Sequence, residues 1–130
     1  MAKDLLIFLI DDDTDDQEIF SIIVAEAFPQ ISCVFANDGI AALEKLQKKP
    51  ALRPDLIFID INMPRMNGMQ CLTEIKKLKD FSDIPVYMYS TAAEPAMVES
   101  CMSKGAVGFI RKEVNPEMLQ KKIAEIISNL

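Results

Sequence analysis

The sequence predicts an α/β fold, a doubly wound five-stranded parallel sheet with five helices in a three-layer, flavodoxin-like sandwich. Three observations carry that prediction. Short apolar runs recur along the chain at Leu5–Ile10, Ile31–Ala36 and residues 56–59, 86–89 and 108–110. Stretches with helical period and helix-end signals follow each of them. The first, third and fourth runs are almost continuously apolar, as parallel strands covered on both faces are. Strands alternating with helices imply right-handed βαβ crossovers and hence a layered sheet.

The elements follow in order. The first run has six residues and ends at Asp11, Asp12 and Asp13, too short for a membrane span and wrongly flanked for a signal peptide. Thr14, with Gln17 three residues on, fits a capping box opening a helix to about Phe28, where Pro29 stops it. Asn37 or Asp38 caps a second helix through Leu43 and Leu46. A third runs from Met69 to Leu78 with Leu72 and Ile75 inward. Pro95 and Pro116 stand at first helical positions, Asn115 is a good N-cap, and Gly105 suits the end of the fourth helix. The last helix places Leu119, Ile123, Ile126 and Leu130 on one face.

A chain of 130 residues is read as a single domain, 1–130. Its net charge of −6, from 14 basic and 20 acidic residues, disfavours direct nucleic-acid binding and favours a cation as small partner. Three cysteines, Cys33, Cys71 and Cys101, are odd in number and widely spaced, so they read as reduced thiols in a cytoplasmic protein. Histidine is absent. That excludes a histidine kinase, a histidine phosphotransfer protein and a Ser-His-Asp triad, and leaves chemistry to carboxylates, hydroxyls, lysine, cysteine and metal.

In doubly wound sheets ligands sit at the carboxyl ends of the strands. The first strand ends at Asp11 and Asp12 and the third at Asp60. Carboxylates converging there repel one another unless a cation neutralises them, and magnesium accepts such oxygens together with a phosphate oxygen. The acidic run of residues 11–16 also reads as a solvated helix start, which accounts well for Asp13, Asp15 and Asp16. Asp60 taken alone also reads as a turn residue before Met63 and Pro64. Ser90 and Thr91 end the fourth strand with hydroxyls that either cap locally or bond a phosphoryl oxygen. Arg111 and Lys112 end the fifth. Lys112 reads either as surface decoration or as counter-charge for a phosphorylated aspartate.

These motifs resemble the receiver domains of two-component response regulators over essentially the full length. They are Leu9 to Asp13, then Asp60, Ile61, Asn62, Met63 and Pro64 running on to Gly68, then Ser90 after Pro85 and Val86, and Lys112 after Gly108 and Phe109. The resemblance implies the strand order 2-1-3-4-5. It implies that Asp60 accepts a phosphoryl group from a phosphohistidine donor, a sensor histidine kinase or histidine phosphotransfer protein. Asp11, Asp12, Asp60 and the backbone carbonyl of Asn62 would hold Mg2+. Ser90 and Lys112 would contact the phosphoryl group, and Ser90 with Phe109 would form the switch. Output would pass to a protein partner through the fourth helix, fifth strand and fifth helix. Glu113 follows Lys112 where the family carries proline, residues 48–54 make a long approach to the third strand, and Thr91 replaces a small apolar residue.

Such a protein is a phosphoacceptor switch rather than an enzyme, limited to self-phosphotransfer and autodephosphorylation. A phosphate sink without output is the alternative. An aspartate-nucleophile phosphatase would need a proton-transferring residue where Asn62 stands. A flavin carrier would need a phosphate-binding loop where the aspartates stand.

Overall fold

Parallel strands β1 (Leu5–Ile10), β2 (Ile31–Ala36), β3 (Leu56–Asp60), β4 (Val86–Ser90) and β5 (Gly108–Arg111) form one sheet in the order β2-β1-β3-β4-β5. The computed structural model describes residues 4–48, 52–91, 94–112 and 115–130. Helices α1 (Thr14–Ala27), α2 (Gly39–Gln47), α3 (Gly68–Lys77), α4 (Pro95–Ser103) and α5 (Pro116–Ser128) follow the strands in turn. The predicted fold class and strand order therefore hold. Among the described residues no helix is long and apolar enough to cross a membrane.

The period-two alternation of the strands feeds two cores. Phe8, Ile10, Ile57, Ile59 and Met88 point to one face and meet Ala42 and Leu46 of α2, Leu72 and Ile75 of α3, and Cys101 of α4. Ile7, Leu9, Phe58 and Tyr89 point to the other and meet Phe20 and Ile23 of α1 and Leu119 and Ile123 of α5. Because both faces are covered, β3 is buried at every residue, which is why it reads as an unbroken apolar run. Phe20 stands edge-on to Phe58 at 5.4 Å and to Tyr89 at 5.8 Å, locking α1 against β3 and β4.

Several local expectations change. The cap of α1 is Asp13, whose side chain accepts from the backbone of Asp15 and Asp16; Thr14 is the first helical residue, so no Thr14–Gln17 box forms. Gln17 instead donates to the carbonyl of Asp11 and to Asn37, bridging two strand ends. Helix α3 begins at Gly68, one residue earlier than read, behind a capping box of Asn67 and Gln70. Leu130 lies beyond α5 and is half exposed, off the buried stripe of Leu119, Ile123 and Ile126. Asp38, Asn115, Pro95, Pro116 and Gly105 take the roles read for them, Gly105 with φ of +114° after α4. The bond from Lys112 to Glu113 and part of the 48–54 approach lie outside the described residues.

Gly68 fixes how close α3 comes to the end of β3. Its amide donates to the carbonyl of Ile61 at 2.8 Å. A Cβ on Gly68 would collide with the carbonyl oxygen of Asp60 and lie 2.7 Å from the Cα of Ile61, both backbone atoms that cannot swing aside. Gly68→Ala should thus destabilise the fold by about 1–3 kcal/mol, the range for overpacking, and displace the Asp60 backbone. Urea denaturation with amide chemical shifts checks this; wild-type stability with unmoved Asp60 shifts would show that the helix yields freely.

Candidate functional site

The sheet register brings the predicted strand ends together. Ile10 pairs with Ile59 and Ala36, Asp60 with Tyr89, and Ser90 with Arg111. Asp11 follows β1 and its amide donates to the carbonyl of Ala36 at 3.0 Å. Lys112 follows β5 and its amide donates to the carbonyl of Ser90 at 2.8 Å. Asp11, Asp12 and Asp60 each offer a carboxylate oxygen, and these oxygens lie within 4.8 Å of one another. Asp11 and Asp60 are buried and Asp12 is exposed, so the cluster opens to solvent on one side.

The Lys112 ammonium sits among the carboxylates. Its Nζ lies 2.8 Å from Asp16 Oδ2, 2.9 Å from Asp11 Oδ2 and 3.2 Å from Asp60 Oδ2, with the lysine side chain only 10% exposed. It also lies 5.4 Å from the centre of the Tyr89 ring, within cation–π range. Surface decoration is thereby excluded for Lys112. Asp60 Oδ1 accepts from the Asn62 amide at 3.1 Å, and the Asn62 side chain donates to Ser90 Oγ at 3.4 Å. Ser90 is buried, whereas Thr91 is exposed. Phe109 is half-buried and packs against the core, so neither a fully exposed nor a fully enclosed ring describes it.

The electrostatics follow from burial. Desolvation pushes Asp60 up to about 6, opposed by Lys112 and the Asn62 amide and reinforced by Asp11. Burial likewise raises Asp11, against the Asp13 amide and Lys112. For Lys112, burial works to lower the value, but contacts with Asp16 and Asp11 and the charges of Asp11 and Asp60 carry it above the ordinary lysine range. Asp11 Oδ2 is the buried side-chain oxygen that, among the described residues, makes no hydrogen bond; Lys112 is near it as a charge but not in hydrogen-bond geometry. An orphaned buried carboxylate oxygen beside two further carboxylates fits a hard divalent cation.

Two contributors were not read from the sequence. Asp16, taken as part of a solvated helix start, turns inward to Lys112. Its signal was available: Asp16, Phe20 and Ile23 lie at i, i+4 and i+7, so Asp16 shares the core-facing stripe of α1. Tyr89, read only as a strand residue, forms the floor under the ammonium. A surface cavity of about 320 Å³ lies elsewhere, beside α3 and lined by Arg65, Met66, Met69, Thr73 and Lys104; none of the strand-end residues line it.

The family model described as the response regulator receiver domain matches residues 7–124. This chain belongs to that family. The receiver is 31% identical over 92% of its length to the two-component response regulator-like protein PRR73 of Oryza sativa subsp. indica, but spans only 15% of that protein. Among solved structures it is similar to the Mn2+-bound form of response regulator Rcp1, with TM-score 0.82 and 26% identity, covering 95% of this chain and 92% of that one. It is also similar to the phosphorylated cyanobacterial phytochrome response regulator RcpA, with TM-score 0.83 and 28% identity, covering 96% and 91%.

The receiver's buried acid has a measurable signature. A carboxyl whose folded pKa is about 6, above its ordinary 3.8, binds its proton more tightly folded than unfolded. Its ionisation therefore opposes folding: stability falls as pH rises through this window and the loss is complete above it. Without metal, Asp60→Asn should stabilise the receiver at pH 7 by on the order of 1 kcal/mol, and the gain should vanish towards about pH 4. Urea denaturation in EDTA across pH checks this; a gain independent of pH would contradict burial as its cause.

Proposed function

We propose that this receiver accepts a phosphoryl group onto Asp60 from a phosphohistidine donor, on a sensor histidine kinase or histidine phosphotransfer protein, and signals by changing shape. The observation that carries the reading is the placement of Asp60 Oδ2 3.2 Å from the Lys112 ammonium, beside the carboxylates of Asp11 and Asp12. A carboxylate nucleophile, a cation cluster and a counter-charge on one edge suit in-line phosphoryl transfer, where positioning and charge neutralisation carry the catalysis. An Asp60 oxygen forms the bond to phosphorus as the donor's bond to phosphorus breaks, and that electron pair leaves with the donor.

Asp11, Asp12, Asp60 and the Asn62 carbonyl would hold Mg2+, which supplies Lewis-acid charge against the developing phosphoryl oxygens. The likeness to a Mn2+-bound and a phosphorylated response regulator supports this assignment. Lys112 meets the added negative charge, and Ser90, buried beside Asn62, donates its hydroxyl to a phosphoryl oxygen more readily than exposed Thr91. Movement of Ser90 towards Asp60 opens space for Phe109, biasing two arrangements of α4, β5 and α5. A protein partner reads that face. The receiver works as a switch with only self-phosphotransfer and autodephosphorylation, in the cytoplasm, with no direct contact to nucleic acid or membrane.

Acetyl phosphate with Mg2+ should give an adduct of one phosphoryl group by mass spectrometry, lost in Asp60→Asn and on removing Mg2+, and slowed in Lys112→Ala. Asp12→Asn should weaken Mg2+ binding measured by amide shifts. Ser90→Ala should still take the phosphoryl group but blunt the shifts of Phe109, α4 and α5. An adduct persisting in Asp60→Asn would refute the acceptor. Shifts confined to the acidic cluster in the wild type would refute the switch and favour a phosphate sink.

A further inference from the structure

Asp16 lies outside the cation cluster yet makes the shortest contact to Lys112. The three carboxylates whose oxygens converge are Asp11, Asp12 and Asp60; Asp16 is not one of them. Its Oδ2 accepts from Lys112 Nζ at 2.8 Å, against 3.2 Å for Asp60. Asp16 is anchored in its turn. Its amide donates to Asp13 Oδ1 at 3.2 Å, and it lies in the first turn of α1, where a carboxylate is favoured by the helix dipole. Phe20, one turn on, packs edge-on against Tyr89, over whose ring the ammonium sits. Helix α1 and β4 thus grip the lysine head from two sides.

The three carboxylates around Lys112 do not have equal futures. A cation at the acidic cluster would engage Asp11 and Asp60, and formation of the acyl phosphate would remove the charge of the Asp60 oxygen that forms the bond. Asp16 alone of the three has no other role in that sequence. We propose that Asp16 is a positioning residue for phosphoryl transfer, holding the Lys112 ammonium at the acceptor edge when Asp11 and Asp60 turn to the cation and the phosphoryl group. The proposal rests on Asp60 being the acceptor. Asp16 acts through the lysine and touches neither the phosphoryl group nor the cation.

The test is a double-mutant cycle with a direct view of the lysine. Asp16→Asn keeps the shape of the side chain and removes its charge. It should slow adduct formation from acetyl phosphate roughly two- to fivefold, the scale of losing a part-exposed charge pair, while the Mg2+ response stays unchanged. Asp16→Glu should recover part of the rate. In a Lys112→Ala background Asp16→Asn should slow the reaction no further, because the group it positions is gone. With Mg2+ bound and no phosphoryl group present, when Asp11 and Asp60 are engaged by the cation, the 15N–1H signal of the Lys112 ammonium should be protected in the wild type and lost to exchange in Asp16→Asn. An equal slowing with and without Lys112 would overturn the proposal and leave Asp16 a helix-end residue; an ammonium signal unmoved by Asp16→Asn would overturn it as well. That signal is read before any phosphorylation, so failure of Asp60 to accept a phosphoryl group remains a separate result.

Discussion

Carboxylates at the end of a buried parallel sheet lose water without gaining enough partners. Asp11 is wholly buried and Asp60 nearly so, and desolvation raises both. The described ion pairs at this edge run through the single ammonium of Lys112, shared with Asp16 as a third carboxylate. One ammonium against four carboxylates, exposed Asp12 among them, leaves the edge rich in negative charge and short of solvation. The same imbalance that weakens the metal-free fold suits the edge to a divalent cation, whose charge would offset it. Stability and chemistry are opposite readings of one arrangement.

The fold sustains this cost through its two cores. Strand β3 carries Asp60 out of a segment buried at every residue, and the aromatic group of Phe20, Phe58 and Tyr89 stiffens the side of the sheet from which Lys112 is reached. On the opposite side Gly68 lets α3 close against the backbone of Asp60 and Ile61. The loop between is tied back by the ion pair of Arg65 with Asp38 at the start of α2. Arg65 takes a φ of +64°, an uncommon conformation for a side chain of its kind, in a loop that must turn from strand to helix beside Asp60. Precision at the edge thus comes from rigid elements on both faces.

The fold was legible because the strands announce themselves twice, by continuous hydrophobicity and by polar residues where they end. Asp60, Ser90 and Arg111 prove to be the last residues of their strands, within one residue of the reading. Asp11, Asp12, Asp60, Ser90 and Lys112 were found as a group because parallel strands share an edge, whereas Asn62 entered through the family resemblance alone. Local hydrogen bonding was harder. Thr14 and Asp13 are both sound cap residues, and only the backbone turn decides between them. Asp16 was missed since a carboxylate in a first turn has an adequate local explanation, and its long-range partner is 96 residues away. Gly68 was read only as the end of the motif that starts at Asp60, and the close helix approach it allows shows in the structure.

The central claim is that the buried acidic edge becomes complete only when a divalent cation and a phosphoryl-like group occupy it together with an ionised Asp60. Titration with beryllofluoride, a tetrahedral stand-in for the phosphoryl group, followed by amide chemical shifts, tests this most directly. Mg2+ alone should shift the amides of the acidic cluster; saturable shifts that reach Ser90 and Lys112 should need Mg2+ and beryllofluoride together, and those should be lost in Asp60→Asn. Binding of beryllofluoride without Mg2+, or binding unaffected by Asp60→Asn, would contradict the account.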